Sequence, residues 1–282
     1  MGFRKPDLAG AWYPGVEKEI RKTIEGYIGK IEVPDEKYSG KGGIVPHAGW
    51  YFSGKVAFWV LYSISKVNNP ELIFVFGMHL PPHGPDYIFI DDGYETPIGR
   101  IPVNQEAANL LYDSYDFIKE DAVHYSQDNT VEIQLPFIKH LFPEASIVTV
   151  GVSPTERATA IGEKAEEISK KLGLNSCYIG STDLTHYGPN YAFAPQGTGP
   201  ESVSWVRDKN DKMIVESFLN ADADKVISQA LSSKNACCPG AATAAIAASK
   251  KAGCERGILV TYTTSYDVHP DSSFVGYAGV VY

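Results

Sequence analysis

Four runs of this chain, Gly43–His47 (GIVPH), Leu72–His79 (LIFVFGMH), Ser146–Val152 (SIVTVGV) and Ser176–Thr182 (SCYIGST), are apolar almost without interruption and rich in β-branched residues. A strand with one solvated face alternates apolar and polar residues, whereas a strand that does not alternate must be covered on both faces. The chain therefore needs helices above and below a central sheet, and the segments between the runs supply them. Ile20, Ile24, Tyr27 and Ile28 form one apolar stripe of segment 15–31, and Ile161, Ala165 and Ile168 form another in segment 157–173. The second stripe closes on Lys-Lys-Leu-Gly, an ordinary helix stop. Segment 211–232 predicts two helices broken by a cap near Asn220 to Asp222. Further strands are expected at 86–91, 257–265 and 274–282. This alternation predicts an α/β fold, a single domain over residues 1–282 with a central, mainly parallel or mixed sheet flanked by helices. The Gly- and Pro-rich stretch 194–204 is expected to be a surface loop or a lid.

With 44% hydrophobic residues in 282, the chain can bury a sizeable core. A formal charge of -9 leaves no basic footprint for nucleic acid. No secretory leader and no membrane span are evident. The four cysteines, Cys177, Cys237, Cys238 and Cys254, have no framework spacing, so a reduced, cytoplasmic protein is expected.

Three of the strands end in polar residues at the edge where α/β sheets collect ligands. The first leads to His47, the second to His79 with His83 in a loop beyond, and the third to Asp183 and His186. Cys237 and Cys238 precede Pro239 and a helix of small residues, which places the pair at a helix amino terminus that favours a thiolate. Thiolate and imidazole are good ligands for zinc, copper or iron. Singly, each residue has a plain structural reading. His47 fits a tight turn, His79 a strand end, Asp183 a local turn hydrogen bond, and the cysteines a buried apolar contact.

The motifs RKPDLAGAWYPG, VPHAGWYFSG, YETPIGRIPVN, VEIQLPF, STDLTHYG, NAC-PG and TSYD…VGYAGVVY follow one another over nearly the whole length. In this the chain resembles the Memo family, the protein B component of the AmmeMemoRadiSam system, which is similar to the B subunits of class III extradiol dioxygenases. The resemblance implies a dioxygenase-like α/β fold with a pocket at the strand ends. It implies His47, His79 and Cys237 as ligands of Fe(II) or Cu, with Zn as a competitor, and Cys237 where the dioxygenases use a carboxylate. It further implies His186 as acid/base with Asp183 beside it. A neutral His186, titrating near neutral pH, would shuttle protons. The expected function is a metal-binding redox protein acting on an unknown small molecule. The alternatives are a binding or scaffold protein, and an accessory factor working with radical-SAM and AMMECR1-type partners.

The chain departs from the family pattern in three places. Asp128-Asn129-Thr130 stands where Glu-His-Ser is usual, so Asn129 replaces a pocket histidine, for which His124 is a distant substitute. GMH is one residue shorter than the usual second histidine motif, and Cys238 replaces a common glycine. Trp50 and Tyr51 are expected either to wall the cleft or to pack in the core.

Overall fold

The structure, a computed structural model, describes residues 2–31 and 33–282. Among them the strands are, in chain order, β1 (Phe3–Arg4), β2 (Gly42–Val45), β3 (Leu72–Gly77), β4 (Asp86–Phe89), β5 (Gly93–Thr96), β6 (Gly99–Pro102), β7 (Phe117–Glu120), β8 (Ser146–Gly151), β9 (Ser176–Ser181), β10 (His186–Tyr187), β11 (Ile258–Thr264) and β12 (Phe274–Val281). Nine of them form one sheet in the order β10-β12-β2-β9-β3-β8-β4-β7, with β11 paired to β12. Strands β2, β9, β3 and β8 are mutually parallel and form its centre. β12 runs antiparallel to β2, and β4 antiparallel to β8, so the sheet is mixed. The short strands β1, β5 and β6 form a separate small sheet.

Every residue of β2, β3 and β9 is buried, as their unbroken apolar character requires. Two adjacent glycines show how tightly both faces are covered. A side chain on Gly42 would strike Ser249, and one on Gly43 would strike Val60. Successive strand residues point to opposite faces, so helices Pro239–Lys251 and Lys55–Val67 lie on opposite sides of the sheet. Helices Glu17–Ile28 and Leu135–Leu141 pack outside Lys55–Val67. Helix Arg157–Leu172 crosses Pro239–Lys251.

The apolar stripes behave as their spacing predicts. Ile20 and Ile24 are buried, as are Ile161, Ala165 and Ile168, and Gly173 ends its helix in the left-handed conformation. Ile28, at the last position of its helix, reaches the surface instead. The break near Asn220 to Asp222 separates helices Lys212–Leu219 and Ala223–Ser233, although the Asp222 side chain makes no capping bond. Among the described residues, no helix is long and apolar enough to cross a membrane.

The small residues of Pro239–Lys251 serve packing within the chain. Helix Arg157–Leu172 approaches so closely that a Cβ on Gly162 would lie 2.0 Å from the Ala244 carbonyl oxygen. That oxygen belongs to a helix backbone and cannot swing aside. Gly162→Ala is therefore expected to lower the free energy of unfolding by about 3 kcal/mol, read as a lower urea midpoint with an unchanged slope. A wild-type midpoint would show that the two helices can part freely.

Candidate metal centre

The parallel order β2-β9-β3 sets three strand ends side by side, and each delivers one site residue. β2 leads through Pro46 to His47, β9 through Thr182 to Asp183, and β3 through Met78 to His79. Met78 has a left-handed backbone (φ 70°), and its N–H donates to Thr130 Oγ1 at 2.7 Å. This strained residue turns the chain so that His79 faces the first histidine. Cys237 arrives from the other direction, just before helix Pro239–Lys251. Its N–H donates to the Asp183 carbonyl at 3.1 Å, and the Asp183 N–H donates to Cys237 Sγ at 3.2 Å.

The His47 turn is held from several sides. Its N–H donates to Asp183 Oδ1 at 2.7 Å. Asn129 Nδ2 donates to the His47 carbonyl at 2.7 Å, and Gln134 Nε2 to the Pro46 carbonyl at 2.8 Å. The VEIQLPF stretch and the residues before it thus act as a latch on this turn, a role that the spacing of the motif does not disclose.

The hydrogen bonds decide where the imidazole protons sit. Ser181 Oγ donates its one proton to the Thr130 carbonyl at 2.7 Å, so at 3.1 Å it accepts from His47 Nδ1–H. His79 Nδ1 lies 3.1 Å from Asp128 Oδ2. Burial works against the Asp128 charge, but hydrogen bonds from His79 and Thr130 hold its pKa at about 2, so this carboxylate only accepts. Both rings therefore carry a proton on Nδ1 and aim Nε2 inward; burial opposes a second proton, yet Cys237 and Asp183 raise the His47 pKa, and Asp128 and Cys237 raise that of His79 to about 10. Those Nε2 atoms are 3.1 Å apart, and Cys237 Sγ is 3.2 Å from His47 Nε2. Burial would push the Cys237 thiol up. The Cys238 thiol beside it and the imidazoles of His47 and His186 reverse this and hold it well below an ordinary thiol. Two imidazole nitrogens and an anionic sulfur this close call for positive charge among them. Protons on the imidazoles supply that charge, and a bound metal ion would take their place on all three atoms. Together with Cys238, these groups present four ligand atoms within 4.8 Å of one another.

His186, on β10, borders the same space. Its Nε2 is buried without a hydrogen bond, 3.9 Å from Asp183 Oδ2. Burial opposes its charge, yet Asp183 and Cys237 raise its pKa to about 10. The neutral ring expected from the intrinsic value is thus replaced by an imidazolium, because two anionic groups face it. The histidines and Asp183 open onto a cavity of about 580 Å³ that Tyr51, Asn129 and Tyr277 also line. A larger depression of about 840 Å³ lies beyond Trp12 and Tyr51 and contains no histidine or cysteine.

A family model described as Memo-like protein matches residues 4–281. The chain belongs to the Memo family. It is 31% identical to a MEMO1 family protein of Nitrosopumilus maritimus, covering 99% of this chain and 98% of that one. A MEMO1 family protein of Thermococcus onnurineus is 28% identical, with 99% of each chain covered. The fold is also similar to the crystal structure of an uncharacterized protein from Escherichia coli K12. That match has a TM-score of 0.56 and 9% identity and covers 85% of this chain and 98% of the other.

In this Memo chain the structure brings His47, His79, Cys237, Cys238, Asp183 and His186 together. Asn129 lines the cavity, but its amide is committed to the His47 backbone. Trp50 and Tyr51 part company. Trp50 does not line this cavity: it is 3% exposed, stacked on Phe137 at 3.9 Å, and donates its indole N–H to the Ile133 carbonyl. Tyr51, one residue on, is 72% exposed and lines the cavity. His124 points to solvent against Asp121 and does not reach the site. His83 sits in a loop with φ 67°. Sequence reasoning missed the roles of Asp128 and Ser181, the two groups that orient the imidazoles. Their one local signal was an Asp placed to cap the short helix Asn129–Glu132, and nothing in that pattern names His79 as a partner.

Proposed function

We propose that this Memo protein is a metal-dependent redox protein acting on a small molecule held in the cavity of about 580 Å³. The supporting observation is the pair of inward Nε2 atoms, 3.1 Å apart, beside the Cys237 thiolate. His47, His79 and Cys237 would hold the ion. Copper or iron suits this donor set, with zinc as a competitor that does no redox chemistry. When bound, such an ion supplies one-electron chemistry at the floor of the cavity.

The chain's own residues then divide the remaining work. Asp183 ties the His47 backbone to the Cys237 loop and keeps the imidazole facing the thiolate. His186 carries a proton at Nε2 and is placed to donate it to an anionic substrate group. A cation on the thiolate would cancel one of the two charges that retain this proton, so loading the site would ready His186 to release it. Tyr51 offers its exposed ring to an apolar or aromatic substrate.

The test is metal content by elemental mass spectrometry on tag-free protein purified without oxygen. Wild type is expected to carry about one copper or iron per chain, and His47→Ala and Cys237→Ala almost none. Wild-type protein that stays free of metal after reconstitution would overturn this reading and leave a pocket used for binding alone.

A further inference from the structure

We infer that Cys238 is a fourth protein ligand, so that this chain holds its metal on two imidazoles and two thiolates. Three observations carry this inference. Cys238 Sγ lies 3.7 Å from Cys237 Sγ, and the residue is 2% exposed. Cys238 is also the N-cap residue of the thirteen-residue helix Pro239–Lys251, yet its side chain makes no bond to that helix's free N–H groups. The side chain turns to the cluster instead. Finally, the backbone is fixed in this pose, with the Cys238 N–H on Thr182 Oγ1 at 3.1 Å and the Cys237 N–H on the Asp183 carbonyl at 3.1 Å.

Three of the separations come close to those of a tetrahedral centre. Bonds of about 2.3 Å to sulfur and about 2.0 Å to nitrogen set ligand atoms about 3.3 to 3.8 Å apart on a tetrahedron. The observed distances are 3.1 Å between nitrogens, 3.2 Å from Cys237 sulfur to His47, and 3.7 Å between sulfurs. The widest separation, within 4.8 Å, has to close by roughly 1 Å, which small side-chain rotations allow. Two thiolates with two imidazoles make a soft, four-coordinate site, suited to cuprous copper or zinc rather than ferrous iron. The inference rests on the metal-centre reading above and narrows it, because a four-ligand site has no vacant position until a ligand moves.

Cobalt(II) titration of metal-free wild type, Cys237→Ser, Cys238→Ser and Cys238→Ala separates the two readings. Wild type should show the intense visible bands of tetrahedral cobalt and strong thiolate-to-cobalt charge transfer. Both Cys238 variants should keep about half of that charge transfer and bind at least about tenfold more weakly, one thiolate remaining of two. Spectra and affinities equal to wild type in the Cys238 variants, with loss only in Cys237→Ser, would overturn this inference and leave the three-ligand site intact. Failure of wild type to bind cobalt would overturn both. X-ray absorption on the wild-type zinc complex needs no variant: two sulfurs at about 2.3 Å are expected, and one would refute a role for Cys238.

Discussion

Glu132→Ala is expected to lower the free energy of unfolding by about 4 kcal/mol and to loosen the amino-terminal segment. The Glu132 carboxylate is buried and accepts from three donors at once: the N–H of Asp7 at 2.9 Å, the N–H of Leu8 at 2.7 Å and the Tyr13 hydroxyl at 3.1 Å. Alanine would remove the carboxylate that three donors share, one of them the buried Tyr13 hydroxyl, and each donor left unsatisfied costs about 1–3 kcal/mol before water enters. The effect should reach the cavity, because Ala11 and Trp12 lie in the segment held by these bonds and line the space above His47 and His79. Glu132→Gln keeps one acceptor oxygen and turns an NH₂ toward the other donors, so it should fall between wild type and alanine. Urea unfolding gives the energies, and limited proteolysis should cut ahead of Tyr13 in the alanine variant first. Wild-type stability together with wild-type protease resistance in Glu132→Ala would show that the segment is held by its apolar contacts alone.

The second large effect concerns pH. Asp211 is fully buried and accepts from the Thr185 N–H at 3.0 Å, the Thr185 hydroxyl at 2.5 Å and the Tyr262 hydroxyl at 2.7 Å. The fit is close: a Cβ on Gly276 would sit 1.8 Å from its Oδ2, so that strand position tolerates only glycine. Burial raises the Asp211 pKa from 3.8 to about 6, against the lowering influence of Thr185, Tyr262 and the nearby His186. The folded carboxyl therefore holds its proton where the unfolded one has lost it. Its contribution to stability is fully present below about pH 3.8 and is lost as pH rises through about 6, a loss of about 3 kcal/mol. Asp211→Asn keeps an acceptor for Thr185 and a donor for the Tyr262 oxygen, and carries no titrating group. The difference between the two stability curves, measured by urea unfolding from pH 5 to pH 8, should move in favour of the variant as pH rises. Parallel curves would mean that this carboxyl does not titrate there.

How much of this was legible in the residues depends on the range of the interactions concerned. The seven expected strands and the helical stripes at Ile20–Ile24 and Ile161–Ile168 follow from local patterns of burial, and they occur where those patterns lie. Helix Lys55–Val67 was not legible in the same way. Seven of its thirteen residues are buried, so it lacks the clear polar stripe that marks a helix at a surface. Strands β5, β6 and β7 are four residues each and partly exposed, too short for a period to emerge.

The site divides along the same line. His47, His79, Cys237 and His186 could be singled out from the sequence, because each follows a strand or precedes a helix in a motif shared with the Memo family. Their convergence could not be read from spacing. Cys237 and His47 are 190 residues apart, and only the strand order β2-β9-β3, with helix Pro239–Lys251 aimed at that edge, sets them 3.2 Å from each other. The same holds for what surrounds them. Whether Trp50 or Tyr51 faces the cavity turns on the course of the backbone through Trp50–Gly54, which buries one ring against Phe137 and leaves its neighbour in solvent. The amino-acid sequence alone determined the layers, the apolar faces and the kinds of ligand available, since these depend on composition and local period. Tertiary structure decided which nitrogen carries each proton, which acids orient the histidines and which thiol stands beside Cys237, because those are contacts between residues that no local pattern links.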